Sequence, residues 1–135
     1  MVSICRQRLI DVEPGTAWAA LADWSGLRER LVPGFVVNLT MDGEDRILTF
    51  FNGMVLRERR VGLSETDRRL VWTVTDEAPF THHNGATQIL SNPDGTTSFV
   101  WTTDLLPDDL GPQMSEMMDC GLDIIKQTLE ASAAS

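Results

Sequence analysis

The sequence predicts an α+β fold, in which antiparallel strands and helices occupy separate stretches of the chain. Residues 35–105 hold six runs rich in β-branched and aromatic residues, separated by turn signals. Residues 108–129 carry apolar side chains at helical intervals of three and four. One further strand and two short helices precede these runs. At 135 residues we expect a single domain that spans the whole chain.

The elements before residue 35 are predicted from capping and periodicity. Residues Ser3 to Asp11 alternate weakly between apolar and polar side chains, which predicts a strand. Pro14 then stands in the first turn of a helix that continues to Ala22. Ser25 is predicted to cap a second short helix, which ends before Pro33-Gly34.

From Phe35 onward the apolar period changes to two, as in strands with one buried face. Asp42-Gly43 and Asn52-Gly53 are typical of tight turns between antiparallel strands. The predicted strands cover residues 35–41, 46–51, 54–64, 70–75, 81–90 and 97–105. We therefore expect six consecutive antiparallel strands.

The last predicted element is a long amphipathic helix over residues 108–129, with a length of roughly 33 Å at about 1.5 Å per residue. Its apolar stripe comprises Met114, Met117, Met118, Gly121, Leu122, Ile125 and Leu129. Burial of six large side chains contributes at most roughly 9 to 18 kcal/mol, so the stripe must face the sheet. Because the stripe contains three methionines and a gap at Gly121, we interpret it as an adaptable wall around a guest molecule.

Composition excludes several classes of protein. A formal charge of −9 disfavours binding to nucleic acid or anionic membranes. No run approaches 18 apolar residues, and the first residues lack an apolar segment, so we expect a cytoplasmic protein without membrane insertion. Cys5 and Cys120 lie far apart without metal-ligand spacing, and we expect both to be buried or half-buried thiols.

The arginines are unevenly distributed along the chain. Five of them, at positions 57, 59, 60, 68 and 69, fall within one short span. A charge run of this kind favours a solvated hairpin whose arginine stems cover apolar surface. A site for an anionic ligand or partner remains the alternative.

Residues that match the sequence pattern of a known protein superfamily occur along nearly the whole chain. They are Ala17 to Trp24 in the first helix, Arg57-Glu58-Arg59, Asp67 before the Leu70/Trp72/Val74 strand, Pro79 ahead of His83, Phe99-x-Trp101, and Gly121-Leu122. Together with the element order, they resemble the helix-grip superfamily. This superfamily includes START lipid-transfer domains, the major birch-pollen allergen group, plant abscisic-acid receptors and bacterial polyketide cyclase/dehydrase-like proteins. The resemblance implies a seven-stranded antiparallel sheet curled around the C-terminal helix, with a cavity between them for apolar or amphipathic small molecules.

Strand parity gives the residues expected to line that cavity, because alternate residues share a face. With Trp72 and Trp101 inward, the predicted ligand-contacting residues are Leu48, Phe50, Leu56, Trp72, Val74, Phe99, Trp101, Thr103, Met114, Met117 and Met118. The same faces also carry Met54, Leu70, Asp76, Gly85 and Thr87. The predicted chamber is largely apolar with few polar groups, which is typical of small-molecule sites.

Glu58 points inward according to the resemblance. A carboxylate there is costly unless it is paired, hydrated or used. Three interpretations stay open: a salt bridge to Arg46 or Arg60, recognition of a ligand, and acid/base catalysis.

His82 and His83 are adjacent, so on a strand they face opposite ways, and the resemblance places His83 inward. A structural hydrogen bond, the orientation of a ligand carbonyl and proton transfer are the alternatives for His83. Two histidines on opposite faces do not form a coordination set, so we expect no metal. The absence of a phosphate-cradling glycine-rich loop is consistent with no cofactor.

The leading hypothesis is a cytoplasmic protein that binds a small hydrophobic or aromatic ligand of polyketide-like or lipid-like character. The hypothesis includes transport or conversion of that ligand. Glu58 and His83 are its expected polar contacts. One alternative is a cyclase, dehydratase or isomerase in which both residues exchange protons with a bound carbonyl compound. Another is a protein-interaction module that uses the arginine hairpin or a sheet edge, which includes a homodimer.

Overall fold

A computed structural model describes residues 1–75 and 79–134. The strands are β1 (Val2–Ile10), β2 (Val36–Asp42), β3 (Asp45–Phe50), β4 (Val55–Ser64), β5 (Arg69–Thr75), β6 (His82–Ser91) and β7 (Thr97–Leu106). The helices are α1 (Pro14–Ala22), α2 (Leu27–Arg30) and α3 (Gly111–Ala134). Asp76, which was expected on the inner face, lies outside the described residues.

The strands form one antiparallel sheet in the order β1-β7-β6-β5-β4-β3-β2. Strands β2 to β7 are neighbours in chain order, and β1 completes the sheet beside β7. Gly43 and Gly53 adopt φ values of 63° and 88° in two of the turns, a conformation that residues with a Cβ rarely adopt. The predicted α+β fold, with a seven-stranded curled sheet and a long C-terminal helix, is confirmed.

Helix α3 lies against the inner face of the sheet and buries Met118, Leu122, Ile125 and Leu129. Register shifts in β2 and in β4 interrupt the regular pairing, and such bulges bend strands and increase their twist. The main core lies between the inner face of the sheet, α1 and α3.

The gap expected at Gly121 is occupied by aromatic rings. A Cβ placed on Gly121 would lie 3.1 Å from Trp101 and 3.3 Å from Phe35. Glycine therefore allows close packing of α3 on these two rings. The stripe therefore has no gap at this position, and the interpretation of α3 as an adaptable wall stays a prediction.

Helix α3 is also attached to the edge strand β1 by polar contacts. Arg8 Nε donates to Asp123 Oδ1 at 2.8 Å, and Lys126 Nζ donates to the Leu9 carbonyl at 2.8 Å. The Asp11 amide donates to Glu130 Oε2 at 2.9 Å. This last bond, helped by Lys126, holds the pKa of Glu130 below its usual value. We call these four side-chain positions on β1 and α3 (Arg8, Asp123, Lys126 and Glu130) the clasp.

Two local expectations fail. Cys5 and Cys120 are both exposed, because Cys5 faces away from α3 on the edge strand and Cys120 lies on the outer side of α3. Ser25 does not cap α2, since a short 3₁₀ helix at Trp24–Gly26 precedes it and makes no side-chain cap bond.

The arginine-rich hairpin forms ion pairs on the outer face of the sheet. Asp45 Oδ2 lies 2.9 Å from Arg59 Nη2 and 2.8 Å from Arg57 Nε, and Arg57 Nη1 lies 2.8 Å from Asp42 Oδ2. Hydrogen bonds from Arg59 and Arg57 lower the pKa of Asp45. At these two arginines the positive charges are therefore matched within the sheet.

No helix in the described part of the chain combines the length and the apolar character that crossing a bilayer requires.

Candidate functional site

A pocket of about 80 Å³ lies between the inner face of the sheet, the α1–α2 region and α3. This volume is well above the roughly 10 to 15 Å³ that a cavity needs to hold one water molecule. The pocket is lined by Leu21, Leu27, Leu31, Val32, Phe35, Val36, Arg46, Leu48, Phe50, Met54, Leu56, Glu58, Leu70, Trp72, His83, Thr87, Phe99, Trp101, Met114, Met117 and Ile125. Most of these side chains are aliphatic, aromatic or methionine.

Many residues that strand parity places inward lie around this pocket. They are Leu48, Phe50, Leu56, Glu58, Trp72, His83, Phe99 and Trp101 from five strands, with Met114 and Met117 from α3. Inward faces of neighbouring antiparallel strands are held in register by the backbone ladder, which brings these positions together.

Three residues predicted to contact the ligand lie elsewhere. Met118 is fully buried with Ile4 and Leu105 in a second apolar cluster beneath β1 and β7. Thr103 is buried on β7, where its neighbours in register are Ile4 and Gly85. Val74 packs against the main core without reaching the pocket. Periodicity selects the face of an element, but the pocket covers only part of that face.

Sequence reasoning missed the wall that the α1–α2 region and the start of β2 contribute. Its members are Leu21, Leu27, Leu31, Val32, Phe35 and Val36. The spacing of Leu27 and Leu31 by four residues was the available signal, since such a pair lies on one face of a helical turn. Arg46 also lines the pocket and was predicted only as a partner of Glu58.

Glu58 is paired with Arg46, its direct neighbour across β3 and β4. Arg46 Nε donates to Glu58 Oε1 at 2.9 Å, and Nη2 lies 2.8 Å from the same oxygen. Arg46 Nη1 donates to the Trp24 carbonyl at 3.0 Å, and its guanidinium stacks 3.6 Å from the centre of the Trp24 ring. Burial lowers the pKa of Arg46, and the Glu58 carboxylate opposes that shift.

The second carboxylate oxygen of Glu58, Oε2, differs from Oε1 in its hydrogen bonding. Oε2 accepts no hydrogen bond from any residue that the structure describes, although Glu58 lines the pocket and is 7% exposed. Glu58 thus combines one oxygen engaged by Arg46 with one oxygen available to accept a hydrogen bond from a bound molecule.

His83 is held by the neighbouring strand. The Val74 amide donates to His83 Nδ1 at 3.2 Å, and the Phe80 ring lies 5.2 Å away. Burial lowers the pKa of His83 to about 4, and the nearby charge of His82 adds to the shift. The ring is therefore neutral at pH 7. Because Nδ1 accepts the Val74 amide hydrogen, the proton of the neutral ring is on Nε2, which makes the His83 side chain a neutral donor that lines the pocket.

In the described parts of the chain, no three His, Cys, Asp or Glu side chains are grouped so that they could hold a metal ion. The ionisable groups that line the pocket are the Arg46–Glu58 ion pair, with one open acceptor oxygen, and the neutral His83 imidazole.

Comparison with solved structures shows the same fold in proteins of low sequence identity. The XoxI protein of Bacillus cereus has a TM-score of 0.85 at 16% identity, covering 98% of this chain and 99% of the other. An uncharacterized protein from Bacillus thuringiensis has a TM-score of 0.84 at 14% identity, covering 95% and 98%. Truncated norcoclaurine synthase from Thalictrum flavum has a TM-score of 0.74 at 14% identity, covering 93% and 91%.

No curated protein sequence matches the chain. The profile of one family, described as polyketide cyclase / dehydrase and lipid transport, matches residues 1–130. This match spans all seven strands and most of α3. With the helix-grip architecture described above, it establishes that the chain belongs to the polyketide cyclase/dehydrase and lipid transport family.

Proposed function

We propose that this protein binds a small hydrophobic or aromatic ligand of polyketide-like or lipid-like character in the pocket between the sheet and α3. The supporting observation is an internal space with aromatic, aliphatic and methionine walls and few polar groups. Glu58 Oε2 and His83 Nε2 are the proposed polar contacts, one an acceptor and the other a donor. The family to which the chain belongs supports the binding of small molecules in general.

The volume of the pocket restricts the ligand. At about 80 Å³ it is smaller than an engineered cavity of about 150 Å³ that binds benzene. A single aromatic ring therefore requires some of the wall to move. Met114 and Met117 are half-buried, and methionine side chains, with three rotatable bonds, adapt readily to a guest. These features favour a compact ligand over a long acyl chain.

Binding is better supported than proton exchange. Glu58 Oε1 accepts a hydrogen bond from Arg46, and His83 Nδ1 accepts a hydrogen bond from the Val74 backbone amide. A His83 pKa of about 4 leaves almost no imidazolium to act as an acid at neutral pH. A cyclase, dehydratase or isomerase would have to work with only Glu58 Oε2 and a neutral imidazole.

The experiment is a titration of the purified protein with ethylbenzene and 4-ethylphenol, followed by calorimetry and by the NMR signals of the indole N–H groups. We expect both probes to bind and to shift the signals of Trp72 and Trp101, which line the pocket. Met117→Trp fills the pocket and should weaken binding at least about tenfold. Met118→Leu, a volume-conserving change outside the pocket lining, should leave affinity unchanged.

Leu56→Phe serves as a second pocket-filling variant if Met117→Trp does not fold. Failure of both probes to bind the wild-type protein up to their solubility limits would overturn the proposal. Binding that survives in a folded pocket-filling variant would place the ligand elsewhere and would overturn it as well.

A further inference from the structure

The four tryptophans divide into two pairs according to their indole N–H groups. Trp18 Nε1 donates to Glu65 Oε2 at 2.6 Å, and Trp24 Nε1 donates to the Glu44 carbonyl at 3.0 Å. The two tryptophans that line the pocket, Trp72 and Trp101, have no acceptor within residues 1–75 and 79–134. Buried indole N–H groups usually find a partner, so this contrast requires a physical reason.

Trp72 and Trp101 differ in how accessible the nitrogen is. Trp101 Nε1 is completely buried, whereas Trp72 Nε1 is not among the completely buried unpaired atoms of the described chain. The Trp72 side chain is 6% exposed as a whole and borders the pocket. Trp72 Nε1 is therefore the indole donor that a bound molecule can reach with the smaller rearrangement.

Gly85 determines where the Trp72 indole lies. Trp72 and Gly85 are direct neighbours across β5 and β6. A Cβ on Gly85 would lie 2.7 Å from Trp72 Cε2, which is shorter than real Cβ contacts, and 3.0 Å from Nε1. The indole ring thus lies directly over the bare backbone of Gly85.

His83 lies two residues from Gly85 on the same face of β6, at roughly 7 Å along the strand. Its Nδ1 accepts a hydrogen bond from the Val74 amide at 3.2 Å, which leaves Nε2 as the protonated nitrogen of the neutral ring. Trp72 and His83 therefore each carry an N–H donor, and both side chains line the same pocket.

Both donors are neutral, and this favours an uncharged acceptor group on the ligand. The Arg46 guanidinium, the cation that lines the pocket, is already paired with Glu58. A ligand carboxylate beside Trp72 and His83 would lose its hydration without gaining a counter-ion, which is costly. A neutral carbonyl oxygen has two lone pairs and can accept from both N–H groups.

We propose that Trp72 Nε1–H and His83 Nε2–H form a two-donor subsite for the uncharged carbonyl oxygen of an aromatic ketone or a related compound. The inference rests on the proposed ligand-binding function and specifies the chemical class of the ligand. Glu58 Oε2, on β4, supplies the acceptor for any hydroxyl group at the other side of the ligand.

The test compares acetophenone with ethylbenzene, which has nearly the same shape and lacks the carbonyl. We expect wild-type protein to bind acetophenone about 3- to 10-fold more tightly, the range of a net hydrogen bond. Both compounds should perturb the Trp72 indole N–H signal, but only acetophenone, by accepting a hydrogen bond, should move it downfield. The carbonyl stretch of bound acetophenone should lie below its frequency in an apolar solvent.

Trp72→Phe and His83→Leu each remove one donor and should lower the acetophenone-to-ethylbenzene preference. His83→Gln, whose amide nitrogen can replace Nε2, should retain it. The matched controls Trp18→Phe and His82→Gln change a tryptophan and a histidine outside the pocket lining and should have no effect on the ratio. The ratio also reduces the effect of changes in pocket shape, because the two probes differ by one oxygen atom and have nearly the same shape.

Equal affinity for the two probes in wild-type protein, or a preference that persists in both Trp72→Phe and His83→Leu, would overturn the carbonyl subsite while leaving ligand binding intact. Failure of both probes to bind would overturn the proposed function itself. If Trp72→Phe does not fold, the comparison of His83→Leu with His83→Gln and the Trp72 N–H shift still decide the question.

Discussion

Arg46 holds Glu58 through a single carboxylate oxygen, with Nε 2.9 Å and Nη2 2.8 Å from Oε1. Both side chains are buried, and the Trp24 ring covers the guanidinium. The two charges therefore neutralise each other inside the domain. Glu58 Oε2 is left as a hydrogen-bond acceptor at the pocket.

Removal of one member of this pair should be strongly destabilising. Arg46→Met or Glu58→Leu leaves an uncompensated buried charge, which typically costs about 3 to 5 kcal/mol of unfolding free energy. The double variant should recover most of that loss, and urea denaturation of all four proteins measures the coupling. Arg30→Ala, which removes an exposed ion pair with Asp23, should cost less than about 1 kcal/mol. Additive single-variant losses would show that the pair is not a coupled unit.

Acid should destabilise the protein through His83. Its pKa is about 4 in the folded state and 6.5 in the unfolded chain, so the unfolded state binds the proton more readily. The unfolding free energy should fall by about 3 kcal/mol as pH drops from 6.5 to 4. His83→Gln should remove this part of the slope, and exposed His82→Gln should keep it.

The carboxylates with lowered pKa values act mainly at lower pH. Asp45 and Glu130 lose their stabilising contributions as pH falls below their ordinary values of 3.8 and 4.5. Urea denaturation between pH 5 and 7 therefore isolates His83. Equal slopes in wild-type protein and His83→Gln would contradict the low pKa.

Met117 and Met118 should respond differently to truncation although they are adjacent. Met118→Ala creates a cavity at a fully buried position outside the pocket lining and should cost about 2 to 5 kcal/mol. Met117→Ala enlarges the pocket at a half-buried position, so its main effect should be on ligand preference. Denaturation together with an ethylbenzene titration separates the two outcomes, and the same loss of stability in both variants would show that Met117 belongs to an ordinary core.

Gly85→Ala should destabilise the protein by about 1 to 3 kcal/mol, because the added methyl group would lie 2.7 Å from the Trp72 ring and force it to move. Gly62→Ala is the matched strand control, since the nearest atom to its Cβ would be Val71 Cβ at 3.9 Å. There we expect no loss and a gain of up to about 1 kcal/mol. Near-UV circular dichroism should change in Gly85→Ala alone; an unchanged signal with unchanged stability would refute the tight fit.

The fold could be predicted from the sequence because its signals are local and repeated. Asp42-Gly43 and Asn52-Gly53 indicate turns, and the change of period at Phe35 separates strands from helices. The partner of Glu58 was left open between Arg46 and Arg60. Cross-strand register decides it, since Arg46 lies directly opposite Glu58.

The extent of the site could not be predicted in the same way. An apolar helical stripe is broad enough to include both Met117 and Met118, and only the position of α3 over the sheet assigns one to the pocket and the other to a solid cluster. The aromatic contacts of Gly121 depend likewise on tertiary packing, because nothing in its local sequence indicates that Trp101 and Phe35 meet there.

The clasp between β1 and α3 has a consequence for variation in the helix. Its residues Arg8, Asp123, Lys126 and Glu130 are distinct from Met114 and Met117, which line the pocket on the same helix. Substitution at either methionine therefore leaves the polar contacts of the helix with β1 in place. The lining of the pocket and the polar attachment of its helical wall can change independently.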